Sequence, residues 1–315
     1  MKFFVTGGCG FIGSNYVNYL LTSVDQVSKV TVYDKFTYAA NLRNLESHLD
    51  DSRLNIITGD ICDFDELVEA MKEHEIVVHF AAESHVDRSI ANSKSFVQTN
   101  LFGTYNVLES CRQNRVQSMI QVSTDEVYGS ISKGRSDEEH TLRPNSPYAA
   151  SKAGADMLAR SYYVTHNLDV RVTRSCNNYG RYQYPEKVIP VFIKSLLLNE
   201  KVPVYGNGKN TREWIHVEDH CRGIQAVLDK GLPGEIYNIG SGIHLTNIEL
   251  ARKISKILMR KTDIIEFVED RKGHDFRYAV SSKKINRIGF STQIDFNEGL
   301  SKTIDWYKSH ESWWN

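Results

Sequence analysis

Two short stretches of this sequence carry side chains whose types and spacing can move protons at a carbon that bears a hydroxyl. Tyr148 and Lys152 stand in Ser146-Pro147-Tyr148-Ala149-Ala150-Ser151-Lys152. Pro147 sets φ for a first helical turn, and Ser146 before it can cap the exposed amides. A helix starting there puts Tyr148 and Lys152 four residues apart on one face. A free tyrosine, with a pKa of about 10, is a poor base at neutral pH. An ammonium one turn away favours the phenolate and is expected to lower that value. A tyrosine so tuned can take a proton from a hydroxyl while hydride leaves the same carbon. Upstream, Thr124-Asp125-Glu126 sets two adjacent carboxylates beside a hydroxyl. Burial and mutual repulsion can hold one carboxyl protonated beside an ionised partner, which is what a dehydration requires. Taken alone, each motif also fits an ordinary surface helix or a solvated acidic turn, so the surrounding elements decide.

Those elements alternate. Lys2–Thr6 is a short, apolar, β-prone run. Gly7-Gly8-Cys9-Gly10-Phe11-Ile12-Gly13 follows and leads into a helical pattern through Tyr16, Val17 and Leu20. Glycines between a strand and a helix let backbone amides approach a pyrophosphate at the helix N-terminus. A second strand, Lys29–Tyr33, ends at Asp34, 21 residues beyond Gly13. An acid at that distance accepts hydrogen bonds from ribose hydroxyls and repels a 2′-phosphate, which favours NAD over NADP. Further strands are expected at Leu54–Thr58, Ile76–Phe80, Met119–Ser123 and Asp169–Arg174. Asp60 follows the third and could meet the adenine amino group. Small residues, Ala81 and Ala82, follow the fourth and let a cofactor lie against the backbone. A long amphipathic helix is expected from about Ser93 to Asn114. The pattern indicates a doubly wound parallel sheet with ligands outside the carboxyl ends of its strands. The acidic pair then falls at the end of the fifth strand.

Beyond Cys176 the elements shorten, and single arginines, tyrosines and histidines stand beside turns. Arg212 and Arg271 are candidate clamps for an anionic diphosphate. The expected division is a dinucleotide-binding part over 1–175 and a smaller substrate-binding part over 176–315, interleaved because no linker separates them.

The 315 residues carry a net charge of −1, with 41% hydrophobic residues. That balance points away from nucleic acid and anionic membranes. No apolar stretch approaches the roughly 18 residues of a membrane span, and the apolar run before Gly7 is too short for a signal peptide. Five scattered cysteines without CxxC spacing read as reduced thiols of a cytoplasmic protein. The eleven histidines show no metal-ligand spacing, and no metal is expected.

The glycine loop, Asp34 and the Tyr148/Lys152 pair together resemble the extended short-chain dehydrogenase/reductase family. Within it, Ser123-Thr124-Asp125-Glu126-Val127-Tyr128-Gly129, Asn177-Asn178-Tyr179-Gly180, Pro185-Glu186-Lys187-Val188-Ile189-Pro190, Pro203-Val204-Tyr205-Gly206, Val217-Glu218-Asp219-His220 and Asp270-Arg271-Lys272-Gly273-His274-Asp275 are similar to the nucleotide-sugar 4,6-dehydratases. The resemblance runs through nearly the whole chain and implies an α/β Rossmann-type fold with a smaller α/β substrate domain. It implies that Tyr148, helped by Lys152 and Thr124, removes the C4 hydroxyl proton while hydride passes to NAD. Glu126 then takes the C5 proton, Asp125 protonates the departing C6 hydroxyl, and hydride returns to C6. It further implies cofactor contacts from Gly7, Gly10, Phe11, Ile12, Gly13, Asp34, Asp60, Ile61, Ala81, Ala82, Ser84, Thr99, Tyr148, Lys152 and Asn178. Substrate contacts would come from Ser84, Thr124, Asn177, Glu186, Lys187, Pro203, Tyr205, Arg212, Asn247, Arg271 and His274. The Arg271–Asp275 stretch tips the substrate toward dTDP-glucose over UDP-glucose. The family commonly dimerises through the helices near Ser93–Asn114 and Pro147–His166.

Cys9, Glu213 and His216 depart from the usual residues, which bears on the fit around the nucleotide and not on the reaction. Two other readings stand beside the dehydratase. One is a nucleotide-sugar 4-epimerase or 5-epimerising dehydratase of the same fold; Asp125 and Glu126 argue against the simple epimerase, which needs only reversible C4 oxidation. A noncatalytic NAD sensor would be expected to lack Tyr148 or Lys152.

Overall fold

All six strands expected from the apolar runs form, each bound agreeing within a residue. The computed structural model of the protein describes residues 1–260 and 264–314. Strands β1 (Lys2–Thr6), β2 (Lys29–Asp34), β3 (Leu54–Thr58), β4 (Ile76–His79), β5 (Ser118–Thr124) and β6 (Val170–Ser175) lie in one sheet. The chain then forms β7 (Asn177–Tyr179), β8 (Val202–Tyr205), β9 (Thr211–His216), β10 (Ile236–Ile239), β11 (His244–Thr246) and β12 (Ile265–Val268). Strand β10 returns to the first sheet and completes the order β10-β6-β5-β4-β1-β2-β3, with every pairing parallel. Strands β11-β9-β7 form a second sheet and β12-β8 a third.

Alternate residues of a strand face opposite sides of its sheet. Phe3 and Val5 therefore pack with Tyr16 and Leu20 of the first helix (Phe11–Ser23) and with Ile224 and Val227 of the Val217–Lys230 helix. Phe4 and Val77 face the other way, into Leu67, Val107 and Ala159 from helices Phe64–Ala70, Thr104–Gln113 and Pro147–His166. A sheet covered on both faces is the doubly wound arrangement. A separate core around Phe192, Trp214, Leu250 and Leu300 supports the smaller sheets.

The helix expected over Ser93–Asn114 is not one regular helix. A short turn at Lys94–Phe96 passes into a wide π-helical segment, Val97–Gly103, before a regular helix at Thr104–Gln113. Asn100 explains the widening. Its amide oxygen accepts from Glu83 N at 2.8 Å, while Nδ2 donates to Glu83 O and to Ser151 Oγ. These bonds pull the turn toward the loop after β4, at Thr99, where π segments are often functional.

His79 ends β4 fully inside the protein, between Thr6 Oγ1 at 2.6 Å and Thr104 Oγ1 at 3.1 Å. Burial, with Lys152 adding to it, pushes its pKa down to about 3, and burial alone does the same to His220. Both folded values lie below the unfolded 6.5, so between pH 6.5 and 3 the unfolded chain binds more protons. Stability is full above that window and is lost as pH falls through it, by up to about 1.4 kcal/mol per pH unit for each histidine. Urea unfolding at pH 7 and pH 5 should show this loss, and His79→Gln should make it shallower, leaving the part due to His220. An equally steep loss in the variant would remove His79 from the account.

Candidate active site

The carboxyl ends of β1, β2, β4, β5 and β6 open onto one cleft of about 610 Å³. Every residue for which the sequence implied a catalytic, cofactor or substrate contact lines it, with one exception. Asp125 stands behind the cleft surface, 3% exposed. A 3₁₀ turn, Asp125–Tyr128, follows β5 immediately and turns consecutive side chains in different directions, so Thr124 and Glu126 face the cleft and Asp125 does not.

At the cofactor end, Gly7 has φ of +68°, and a Cβ there would come within 2.7 Å of Ala81 N. A Cβ on Gly13 would meet Gly7 O at 2.2 Å. Both positions require glycine, which leaves backbone amides uncovered at the N-terminus of the first helix, a seat for pyrophosphate. Asp34 accepts from Cys9 N and Phe36 N, both at 2.9 Å, and each oxygen keeps a lone pair for a ribose hydroxyl. These residues fit a dinucleotide. Among the described residues, no group of three or more His, Cys, Asp and Glu side chains could hold a metal ion.

Tyr148 and Lys152 stand in the first turns of a helix, as the sequence implied. Ser146 Oγ accepts from Ala149 N at 3.1 Å, and Pro147 opens the helix. Tyr148 and Lys152 are both buried. The expected effect of the lysine on the tyrosine is not found. Burial and the charge of Glu126 push the Tyr148 phenol up, Asp125 and Asp156 add to it, and the Thr124 hydroxyl beside it acts in the opposite sense. Lys152 is itself brought down to about 8 by burial, and its Nζ donates to Val122 O at 2.7 Å. Desolvation outweighs the helical-turn effect that the spacing suggested.

The acids separate in environment. Burial, then Glu126 and Glu213, raise the Asp125 carboxyl well above its usual range, and its Oδ2 has no partner. Oδ1 accepts from Thr124 Oγ1 at 3.4 Å. Glu126, half-buried, is also raised by burial, but Arg271, Arg212 and Lys187 pull it back. The arrangement keeps a neutral acid behind a carboxylate whose ionised form has three cations near it.

At the substrate end, Arg271 Nη1 lies 3.4 Å from Asp87 Oδ1, and its Nε has no partner. Arg212 is more committed. Its Nη2 donates to Asp275 O at 2.9 Å, Nη1 donates to Thr211 O at 3.0 Å, and its guanidinium stacks 4.4 Å over Tyr278. Lys187 Nζ donates to Ser84 O at 2.6 Å, and Glu186 accepts from Tyr38 Oη at 3.0 Å. Asp87 was not singled out from the sequence, although it also accepts from Tyr205 Oη at 3.2 Å. Its place just after β4, in line with Ala81 and Ser84, was the available signal. Arg271→Ala should weaken nucleotide-sugar binding by about 1.5–3 kcal/mol. Arg212→Ala should do the same and also lower the melting temperature, because it strips donors from buried carbonyls. Calorimetric binding and thermal melts separate the two, and unchanged affinity in both variants would remove the clamps.

A profile of the GDP-mannose 4,6 dehydratase family matches residues 4–303. The chain belongs to that family. The GDP-mannose 4,6 dehydratase family lies within the extended short-chain dehydrogenases/reductases, and this member has full-length relatives in it. A dTDP-glucose 4,6-dehydratase of Streptomyces niveus is 48% identical, the match spanning all of this chain and 95% of the relative. The Streptomyces venezuelae dTDP-glucose 4,6-dehydratase, solved with NAD and dTDP bound, superposes with a TM-score of 0.99 at 48% identity, covering 100% of this chain and 99% of that one. The UDP-glucose 4-epimerase of Thermotoga maritima shares the fold more distantly, with a TM-score of 0.91 at 26% identity over 98% and 99% of the two chains.

Proposed function

We propose that this chain converts dTDP-glucose to dTDP-4-keto-6-deoxyglucose, using NAD that is regenerated in each turnover. The observation that carries the reading is the pairing of Tyr148 and Lys152 with the Asp125/Glu126 carboxyls around one cleft. An epimerase has no use for the second set. The bound structures of relatives at 48% identity support both the cofactor and the nucleotide.

Tyr148 accepts the C4 hydroxyl proton as its phenolate, the form that the positive charge of bound NAD would favour against the burial that raises its pKa, with the Thr124 hydroxyl beside the phenol oxygen. NAD, when bound, accepts the C4 hydride and returns it at C6. With C4 a ketone, the C5 proton is acidic, and Glu126 takes it. Asp125, kept neutral by its surroundings, turns its unpartnered Oδ2 from behind the cleft surface toward the sugar and gives its proton to the departing C6 hydroxyl, which leaves as water. Glu126 then returns a proton to C5. Arg271 and Arg212 hold the diphosphate, with Lys187, Glu186, Asn177, Asn247, Tyr205 and His274 around the sugar and base. Residues 1–175 form the cofactor part and 176–315 the sugar-nucleotide part, with the Val217–Lys230 helix and β10 returning to the first.

The protein acts as a cytoplasmic homodimer in this reading. Five free cysteines suit a reducing compartment. Val97, Phe102, Tyr105, Met157 and Val164 are exposed on the Lys94–Gln113 segment and the Pro147–His166 helix, an apolar face suited to a second copy. The test is incubation with dTDP-glucose or UDP-glucose, followed by alkali, which develops the absorbance of a 4-keto sugar. Faster development with UDP-glucose would overturn the nucleotide assignment. No development with either would overturn the reaction.

A further inference from the structure

The glycine loop is braced from outside the cleft lining by Asn41, Asn44 and, through Asn44, Trp313. Cys9, at its centre, has both backbone polar atoms engaged. Its N–H donates to Asp34 Oδ2, and its carbonyl accepts from Asn41 N and from Asn44 Nδ2, both at 3.0 Å. Asn44 is fully buried. Its Oδ1 accepts from Trp313 Nε1 at 2.9 Å, and its carbonyl accepts from Asn18 Nδ2 at 3.3 Å. Beside it, Arg43 Nη1 donates to Ser312 O at 3.0 Å and Nη2 to Ser312 Oγ at 3.3 Å. A stretch 269 residues away in the chain thus fixes the acceptor side of the loop.

The same stretch also reaches the first helix, which follows the glycine loop, by way of residues 181–183. Tyr182 packs edge-on to Trp306 at 5.2 Å and lies 6.4 Å from Trp313, and Tyr307 Oη donates to Gln183 O. Arg181 Nε in turn donates to Asn15 Oδ1 of the first helix at 3.2 Å, and Asn15 Nδ2 donates back to Arg181 O. The segments that carry these contacts reach the cleft themselves, through Ala40 beside Asn41 and through Gln183 beside Tyr182.

We infer that residues 306–314 form a strap that keeps the glycine loop in its cofactor-binding shape through Trp313, Asn44 and Cys9, and so slows the escape of NAD. The inference rests on the NAD reading above. A loop this rich in glycine loses much entropy on ordering. Pinning it before the ligand arrives removes that cost from binding, and holding it afterwards obstructs release. Trp313 and Asn44 are positioning residues, acting through Cys9.

Trp313→Phe keeps an aromatic ring and removes only the N–H. Trp314→Phe is the control, because its Nε1 donates to Tyr307 O at 2.8 Å, inside the same cluster, without reaching Asn44. Purified proteins are incubated with isotopically labelled NAD, desalted at intervals, denatured, and the released nucleotide is read by mass spectrometry. Hydrogen exchange of peptides covering residues 7–13 and 39–49 is measured in parallel. Trp313→Phe should exchange NAD about 3- to 10-fold faster than the parent, the scale of one neutral hydrogen bond, and the two peptides should lose protection. Trp314→Phe should change neither. Unchanged loop protection in Trp313→Phe, or equal acceleration in both variants, would overturn the strap. Parent protein that carries no NAD would overturn the cofactor reading, while the exchange of the two peptides would still judge the strap.

Discussion

Tyr148→Phe should lower the rate of C4 oxidation by about 10²-fold or more while leaving substrate binding within a few-fold of the parent. The variant removes one oxygen and keeps the ring against Phe96, whose centroid lies 6.4 Å away in an edge-on arrangement. The helix start does not depend on it, because Ser146 and Pro147 supply the cap. Thr124 Oγ1 keeps Asp125 and Glu126 N as partners. What disappears is the acceptor for the C4 hydroxyl proton. Stopped-flow absorbance near the nicotinamide band reads the step directly. A rate within a factor of a few of the parent would exclude Tyr148 as the base.

The second large effect is a change of stopping point. Glu126→Gln should leave C4 oxidation in place and slow elimination by about 10²- to 10⁴-fold, the span of a lost general base. Reduced cofactor should therefore accumulate on adding substrate, with little 4-keto-6-deoxy product. Glutamine preserves the size and removes the negative charge that Arg271, Arg212 and Lys187 face. The companion experiment uses the unaltered protein and substrate deuterated at C4, in ordinary water. Deuterium should appear at C6 of the product, and the new hydrogen at C5 should come from solvent, because a carboxyl exchanges with water. Deuterium returned only to C4, without loss of water, would mean an epimerase and overturn the reaction.

The sequence shows the fold through its alternation of apolar runs and glycine turns, because backbone pairing follows from local pattern. The cleft is equally visible, since strand ends converge on one edge of the sheet whatever the side chains are. Less visible is the direction each side chain takes once inside. Asp125 and Glu126 are adjacent in the chain, yet the 3₁₀ turn sends one into the cleft and the other behind it. Lys152 stands one helical turn from Tyr148, but its ammonium is spent on Val122 O and its environment is too dry to lower the phenol. The π-helical segment at Val97–Gly103 depends on Asn100 reaching Glu83 and Ser151, contacts that no periodicity encodes.

Strand β10 has a practical consequence. It borders β6 along Ile236–Ile239, so the edge of the first sheet is made by residues that the chain reaches only after it has formed β7, β8 and β9. A fragment stopping at Ser175 would leave β6 bare, with a row of free amides and carbonyls inviting aggregation. For the same reason, chimaeras that trade sugar specificity with a relative cannot be cut at a single point. A working graft must enter after β6, leave before the Val217–Lys230 helix and β10, and resume beyond them, so recombination in this scaffold needs at least three junctions.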